Sequence, residues 1–489
     1  MPMAVSKMVS AKCTKKEYKG AYRVFRYSMA FSIFSGGLMA LFVFFGAGWI
    51  EKTFFSSFQG ISIPLRVLAP TIFVVAVMGT LRGLFQGKNT MLPTAVSQIL
   101  EQIVNAVVSI VAAYYLMSDH SASKNLSAWG AAGGTVGTLL GAASALLFLG
   151  MIYTLYRPVL RRQARMDRIT PRESAADYYK LILWTVIPII LSQTVYQLSG
   201  IIDVTIFNFA MEARGVNATV ISTLQGIYST KYRLLVSVPI AVSTAIASSM
   251  IPSLVASVTT GDRRAIKDKV TMAVKFNMII AFPCAIGYMV IGQGLIRMLF
   301  PSSDYITGGK LMLAGSAAII FYAISNVTGG ALQSIDKMRL PVIHSAISLV
   351  IHIGIVVALL HATELNVYVL VIGNVTFPII VSVLNVLALK RYIPTFEVKP
   401  LSTFGVPLSA SLWMGVAVAI VYTLMNRLCL TFLGGYMANA LASLVSVAVG
   451  ALVFFWMFLS LKGMTKQELF DFPMGRKLYL VARKLRLME

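Results

Sequence analysis

The chain has 489 residues, 57% hydrophobic and only 12% charged, with a formal net charge of +24 and a mean hydropathy of +0.78. Soluble domains carry roughly twice that density of charge, so a water-soluble enzyme or binding module is excluded. A basic excess of this size in a soluble protein would suggest nucleic acid, and the placement of the charges decides against it.

The opening MPMAVSKMVSAK lacks the basic start and long apolar core of a secretory leader. A basic run, Lys12, Lys15, Lys16, Lys19, Arg23 and Arg26, leads into the first of twelve apolar windows. These lie near 27–49, 64–85, 92–116, 129–154, 180–207, 226–257, 273–292, 311–333, 340–361, 366–388, 404–425 and 437–460. Each holds about 20 residues or more, enough for a helix to cross ~30 Å of hydrocarbon. Backbone amides cannot stay unpaired in lipid, so the windows are expected to be helices and the fold an all-α polytopic membrane protein. Between the fourth and fifth windows, YRPVLRRQARMDRITPRESAADY forms a basic linker with two prolines. After the last window the tail GRKLYLVARKLRLME (475–489) alternates basic and apolar residues and suits a helix lying on a membrane surface.

Threaded from a cytoplasmic N-terminus, 33 of the 42 Lys and Arg fall on the inner side and 9 on the outer. That bias is the positive-inside rule, obeyed loop after loop, and it places both termini in the cytoplasm. The positive charge therefore reads as topology and contact with anionic membrane lipids. No nucleic-acid partner is expected, because no aromatic-studded basic patch accompanies the charge. Cys13, Cys284 and Cys429 are too scattered for a disulfide framework, and four unpaired His give no metal site. No phosphate-binding GxxxxGK is present, and neither a cofactor nor enzymatic chemistry is expected; work must come from a gradient, a partner or downhill flow.

The stretch 68–103 is a helical hairpin, with a polar turn of Gly, Lys and Asn followed by a Pro that opens the second helix. The same design returns at 313–349, where Gly83 answers to Gly330, Gln86 to Gln333 and Pro93 to Pro341, about 247 residues on. GAGWIEKTF (46–54) likewise matches GQGLIRMLF (292–300), and KMVSA (7–11) matches SLVAS (253–257). Two related halves are implied. The expected division is an N-terminal lobe at 1–155, the linker at 156–178, a C-terminal lobe at 179–391, two further spans at 392–462 and a basic tail at 463–489. In the second half two helices precede the matched region, so the first half is expected to lack one helix and most of another, about 60 to 70 residues.

MAVSKMVS (3–10), RGLFQG (82–87), MLPTAVSQILEQIV (91–104), SQTVYQLSGIIDVTIF (192–207) and QGIYSTKYRLLVSVPIAVSTAIASSMIPSL (225–254) occur in order. As a set they resemble the polysaccharide-transport branch of the MOP exporter superfamily, nearest to stage V sporulation protein B and the MurJ-like lipid II flippases. The resemblance runs to about residue 460. It implies a MATE-like fold of fourteen helices, twelve of them present here, in two lobes about a central cavity that alternates between inward-open and outward-open states. The implied substrate is an undecaprenyl-pyrophosphate-linked sugar precursor. The missing first pair, in that family, helps line the cavity and carries cationic residues.

Such a substrate has a polar, diphosphate-bearing head that needs a wet groove lined by cations and hydrogen-bonding groups. Ionisable residues inside spans are costly and so mark candidates. Lys231 and Arg233 lie about 8 to 11 Å into their helix, with Asp203 at comparable depth on the preceding one. The expectation is a cation pair near one carboxylate, able to trade Asp203 for a pyrophosphate; the plain alternative is a static ion pair or snorkelling side chains. Glu101 lies about 15 Å into its span and either senses a proton or sodium ion, binds sugar, or ties its helix to a neighbour through Gln98 or Gln102. Arg82 reads as too shallow to reach Glu101 and as an anchor at the inner surface. Lys7 would stand at the cytoplasmic mouth. Gln86 and Gln333 should close the hairpin turns, and His344 and His352, eight apart with no acidic neighbour in sequence, should pack in the core or cavity. Gly130, Gly133, Gly134, Gly137 and Gly141 form a small-residue stripe for close helix packing.

A lipid-linked oligosaccharide flippase is thus the leading reading, with cell-wall synthesis enzymes as candidate partners. A multidrug antiporter of the same superfamily is the alternative, but a cavity for amphipathic cations should be acidic and aromatic, whereas this set is cationic. A shortened paralogue that only scaffolds envelope synthesis is the third.

Overall fold

The structure is a computed structural model that describes residues 1–54, 60–123, 125–171, 173–393, 400–464 and 468. The tail at 475–489 lies outside these residues. Among the described residues every regular element is helical: α1 (Pro2–Thr14), α2 (Tyr18–Phe54), α3 (Ser62–Gly87), α4 (Leu92–Asp119), α5 (Leu126–Met166), α6 (Ala175–Ala213), α7 (Ala218–Ile227), α8 (Leu234–Thr260), α9 (Arg263–Leu299), α10 (Tyr305–Gly315), α11 (Ala318–Ser334), α12 (Arg339–Ala362), α13 (Tyr368–Tyr392), α14 (Val406–Leu430) and α15 (Gly435–Ser460). A π-helical turn, Tyr228–Arg233, joins α7 to α8 without a break, and a second, Leu401–Gly405, opens α14. Among the described residues eleven segments are long and apolar enough to cross a membrane; α10 and α11, bent by 48°, make the twelfth when taken as one span. The polytopic all-α fold expected from the windows is the fold observed.

The helices divide into two compact units, Met1–Ile189 with Ile251–Asp262, and Ile190–Met250 with Arg263–Glu489. In the first, α1, α2, α3, α5 and the start of α6 share a core of Val5, Val9, Phe25, Leu84, Leu149 and Ile182. α1 beds directly onto α3 because small residues repeat there every four positions. A methyl group at Gly83 would lie 2.6 Å from Cβ of Val5. α4 and α5 meet through the expected glycine stripe, where a methyl at Gly137 would lie 2.5 Å from the amide nitrogen of Ser109. Without a hydrophobic drive between helices in lipid, such backbone approach supplies the packing. Residues 251–262 join this unit, held in part by the Ser10 hydroxyl, which donates to the Pro252 carbonyl at 2.8 Å.

In the second unit, α9, α14 and α15 pack around Ile279, Ile291, Met414, Val418 and Phe454. The sequence repeat is visible in element bounds. α2 and α9 are both 37 residues long, and α1 ends at the position matching the end of α8. The two hairpin turns also agree in detail. Asn89 and Asp336 take the left-handed backbone, φ 58° and 62°, which Asn and Asp tolerate better than most residues. Lys88 lies over the ring of Tyr156 at 5.4 Å, and Lys337 over Tyr392 at 4.5 Å.

Candidate functional site

Each unit holds a buried ionic cluster. In the first, Arg82 of α3 donates from Nη2 to Oε2 of Glu101 on α4 at 2.8 Å and from Nε to the Ser97 hydroxyl at 3.0 Å. Both side chains are largely buried. Arg82 is therefore the partner of Glu101 and no surface anchor. A guanidinium near the end of one antiparallel helix and a carboxylate deeper in the next meet because both side chains are long. Gln98 and Gln102 sit on the exposed face of α4, and neither ties Glu101 to a neighbour among the described residues. Lys7 is buried on α1.

The second cluster surrounds the π turn Tyr228–Arg233. A π turn inserts one residue into the helical ladder and is a recurrent functional feature. Lys231 and Arg233, two residues apart, leave on different sides and form no joint cation site. Lys231 is buried, and its Nζ reaches the Asp304 carbonyl at 3.5 Å. Arg233 is half-buried and lies across Gly200 of α6; a methyl there would sit 2.5 Å from its Nη1. Among the described residues Asp203 pairs with neither. Its Oδ1 lies 2.5 Å from Nε2 of His352 on α12, and both side chains are almost fully enclosed. This corrects two expectations: Asp203 is not the counter-ion of the cation pair, and His352 has an acidic neighbour, supplied by a helix 149 residues away in sequence. His344, by contrast, sits in the core against Asn385 at 2.7 Å.

Around this pair the polar groups are ordered. Nδ1 of His352 lies 3.2 Å from the Thr376 hydroxyl of α13, which in turn is 3.2 Å from the Gly373 carbonyl. One hydroxyl proton cannot serve both acceptors. With neutral His352, Thr376 donates to Nδ1; with the imidazolium, Nδ1–H donates to Thr376, whose proton then goes to Gly373. Either arrangement leaves no buried donor of the triad unmatched. Tyr232, on the π turn, donates to the Gly315 carbonyl at 3.1 Å and lies 3.1 Å from Oδ1 of Asn374. Gly315 ends α10 at the bend, so the phenol satisfies a carbonyl that the broken helix leaves over. Sequence reading missed this turn and the triad; the signal available was that intramembrane Asp and His in one half require partners.

The helical fold is similar to that of MATE proteins: a solved MATE structure in its straight conformation superposes with a TM-score of 0.65 at 16% identity, covering 81% of this chain and 84% of that one. Sequence narrows the class. The profile of the lipid II flippase MurJ family matches residues 9–391, and the chain belongs to that family. Among curated relatives, lipid II flippase MurJ of Bacillus subtilis (strain 168) is 24% identical over 466 residues, spanning 93% of this chain and 84% of the relative. Stage V sporulation protein B of the same organism is 20% identical over 397 residues, spanning 81% and 74%. The resemblance read from the ordered motifs is borne out.

Proposed function

We propose that this protein flips a lipid-linked cell-wall precursor of the undecaprenyl-pyrophosphate type across the bacterial cytoplasmic membrane by alternating access, with both termini in the cytoplasm. The family match across residues 9–391 carries this reading. Arg233 is the side chain best suited to the diphosphate: a planar fork that is half-exposed, on a π turn, and without a carboxylate partner among the described residues. The Asp203–His352–Thr376 triad is the proposed seat of a coupling proton. A proton gained there turns the Asp–His pair from one net negative charge to neutral and flips the Thr376 hydroxyl on α13, which links titration to helix contacts. Enzymes that polymerise the flipped precursor are the expected partners. Export of amphipathic cations, the alternative reading, has support at the level of fold only.

The test is complementation of a strain depleted of its lipid II flippase. Wild type should restore growth, whereas Arg233→Ala should fail at normal membrane abundance. Failure of the wild-type chain would overturn the flippase reading; full growth of the variant would remove only Arg233 from it. In proteoliposomes with a labelled precursor, an imposed pH gradient should accelerate flipping by wild type and leave His352→Gln unaffected. An equal response of the two would remove the triad from coupling.

A further inference from the structure

The last turns of α5 carry Arg157, Arg161 and Arg165 at four-residue spacing with Arg162 beside them, and together with Thr154 and Met166 they line an open groove of about 770 Å³. Among the described residues none that lines the groove is acidic. The nearest acidic group along the chain, Asp167, is turned to other partners, accepting from the amides of Lys19, Ile169 and Thr170. Two of the guanidiniums share a neighbour, since Arg157 and Arg161 both lie close to the Tyr22 hydroxyl, as does Tyr153. Each guanidinium has five N–H donors, so a contact with Tyr22 leaves most of them to face the groove. Four like charges on two turns repel one another, and an anion in the groove relieves that repulsion.

Toward the middle of the helix the exposed side of α5 also carries Leu147, Met151 and Leu155 at four-residue spacing. An inorganic anion would use the arginines and leave this stripe bare. A soluble phosphorylated partner would have to cover an apolar strip made for lipid. A molecule with an anionic phosphodiester and an acyl chain matches both parts at once.

We infer that the arginine groove of α5 is a binding site for one anionic bilayer phospholipid, its phosphate on Arg157, Arg161 and Arg165 and an acyl chain along Leu147, Met151 and Leu155. The site is separate from the Asp203 and Arg233 cluster and does not depend on which precursor is flipped.

The full-length protein in phosphatidylcholine nanodiscs, titrated with phosphatidylglycerol, tests this by native mass spectrometry and melting temperature. Wild type should retain one phosphatidylglycerol and melt higher. Arg157→Gln/Arg161→Gln/Arg165→Gln should bind it about a hundredfold more weakly, near fivefold per guanidinium, and melt like wild type in phosphatidylcholine alone. Arg162→Gln/Arg165→Gln, which leaves the Tyr22 contacts intact, guards against misfolding and should lose about fivefold on the same scale, for the one phosphate contact it removes. Unchanged retention in both variants overturns the site. So does a melting shift reproduced by inorganic phosphate in place of lipid, which would make it a simple anion site. Displacement of phosphatidylglycerol by micromolar undecaprenyl diphosphate would assign the groove to the substrate instead and equally overturn the proposal.

Discussion

At the scale of single residues, the second-unit site depends on one missing methyl group. Gly200→Ala places Cβ 2.5 Å from Nη1 of Arg233, and the atom that must yield is the far end of a flexible side chain. The fold should survive and the guanidinium should move. Normal abundance with a loss of complementation close to that of Arg233→Ala is expected, and growth like wild type would show that the position of Arg233 is immaterial. A contrasting outcome is expected in the first unit. Glu101→Gln leaves the Arg82 guanidinium buried and unneutralised, a situation that costs about 3–5 kcal/mol. That variant should lose abundance and melting temperature, and Arg82→Gln/Glu101→Gln should recover part of both. Equal melting of Glu101→Gln and wild type would mean that Arg82 finds water. These residues were legible as candidates because ionisable groups in apolar windows stand out, but their partners were not. Counting depth at 1.5 Å per residue omits the reach of Arg and Glu side chains, which is how the Arg82–Glu101 contact escaped. Asp203 and His352 escaped because nothing in a sequence brings α6 against α12.

At the scale of elements, the windows located the spans and the glycine spacing located the α4–α5 packing, since both follow from local periodicity. The π turn and the bend between α10 and α11 did not show. Neither is marked by a proline, and the features depend on a contact across the fold: Tyr232 against the Gly315 carbonyl. Tyr232→Phe keeps the ring stacked on Tyr228, 5.5 Å between centroids, and removes only the hydroxyl. A buried carbonyl left without its donor costs about 1–3 kcal/mol, so the melting temperature in detergent should fall. Amide exchange should rise at α10 and α11 more than at α12. Uniform exchange along all three would mean that the bend holds without the phenol.

At the scale of the molecule, the repeat was the most legible feature, because two halves with matching hairpins keep matching helix bounds. What holds the ends of those helices outside the membrane was less so. In the first unit Lys12 bridges Glu17 and Glu173, each at 2.8 Å, and this sets a pH window for stability. Burial alone would lower the Lys12 ammonium, but the hydrogen bonds it donates to Glu17 and Glu173 outweigh it and raise its pKa above the ordinary 10.5. Burial alone would raise the Glu173 carboxyl, but Lys12 and Tyr178 pull it below 4.5. Asp167, against the same opposition from burial, is held down to about 2 by Thr170 and three backbone amides. A raised cation contributes stability that is present below its ordinary pKa and lost as pH climbs through the folded value. A depressed carboxylate contributes stability that is present above its ordinary pKa and lost as pH falls through the folded value. The melting temperature of the solubilised protein should therefore hold a plateau from about pH 5 to 10 and fall on both sides. Lys12→Met should flatten the alkaline fall and shrink the acid fall that begins near pH 4.5, while leaving the Asp167 contribution between pH 3.8 and about 2. Asp167→Asn should do the reverse, sparing the alkaline limb. Profiles of Lys12→Met and wild type that run parallel through both limbs would show that this ion network plays no part in holding α1 to the linker.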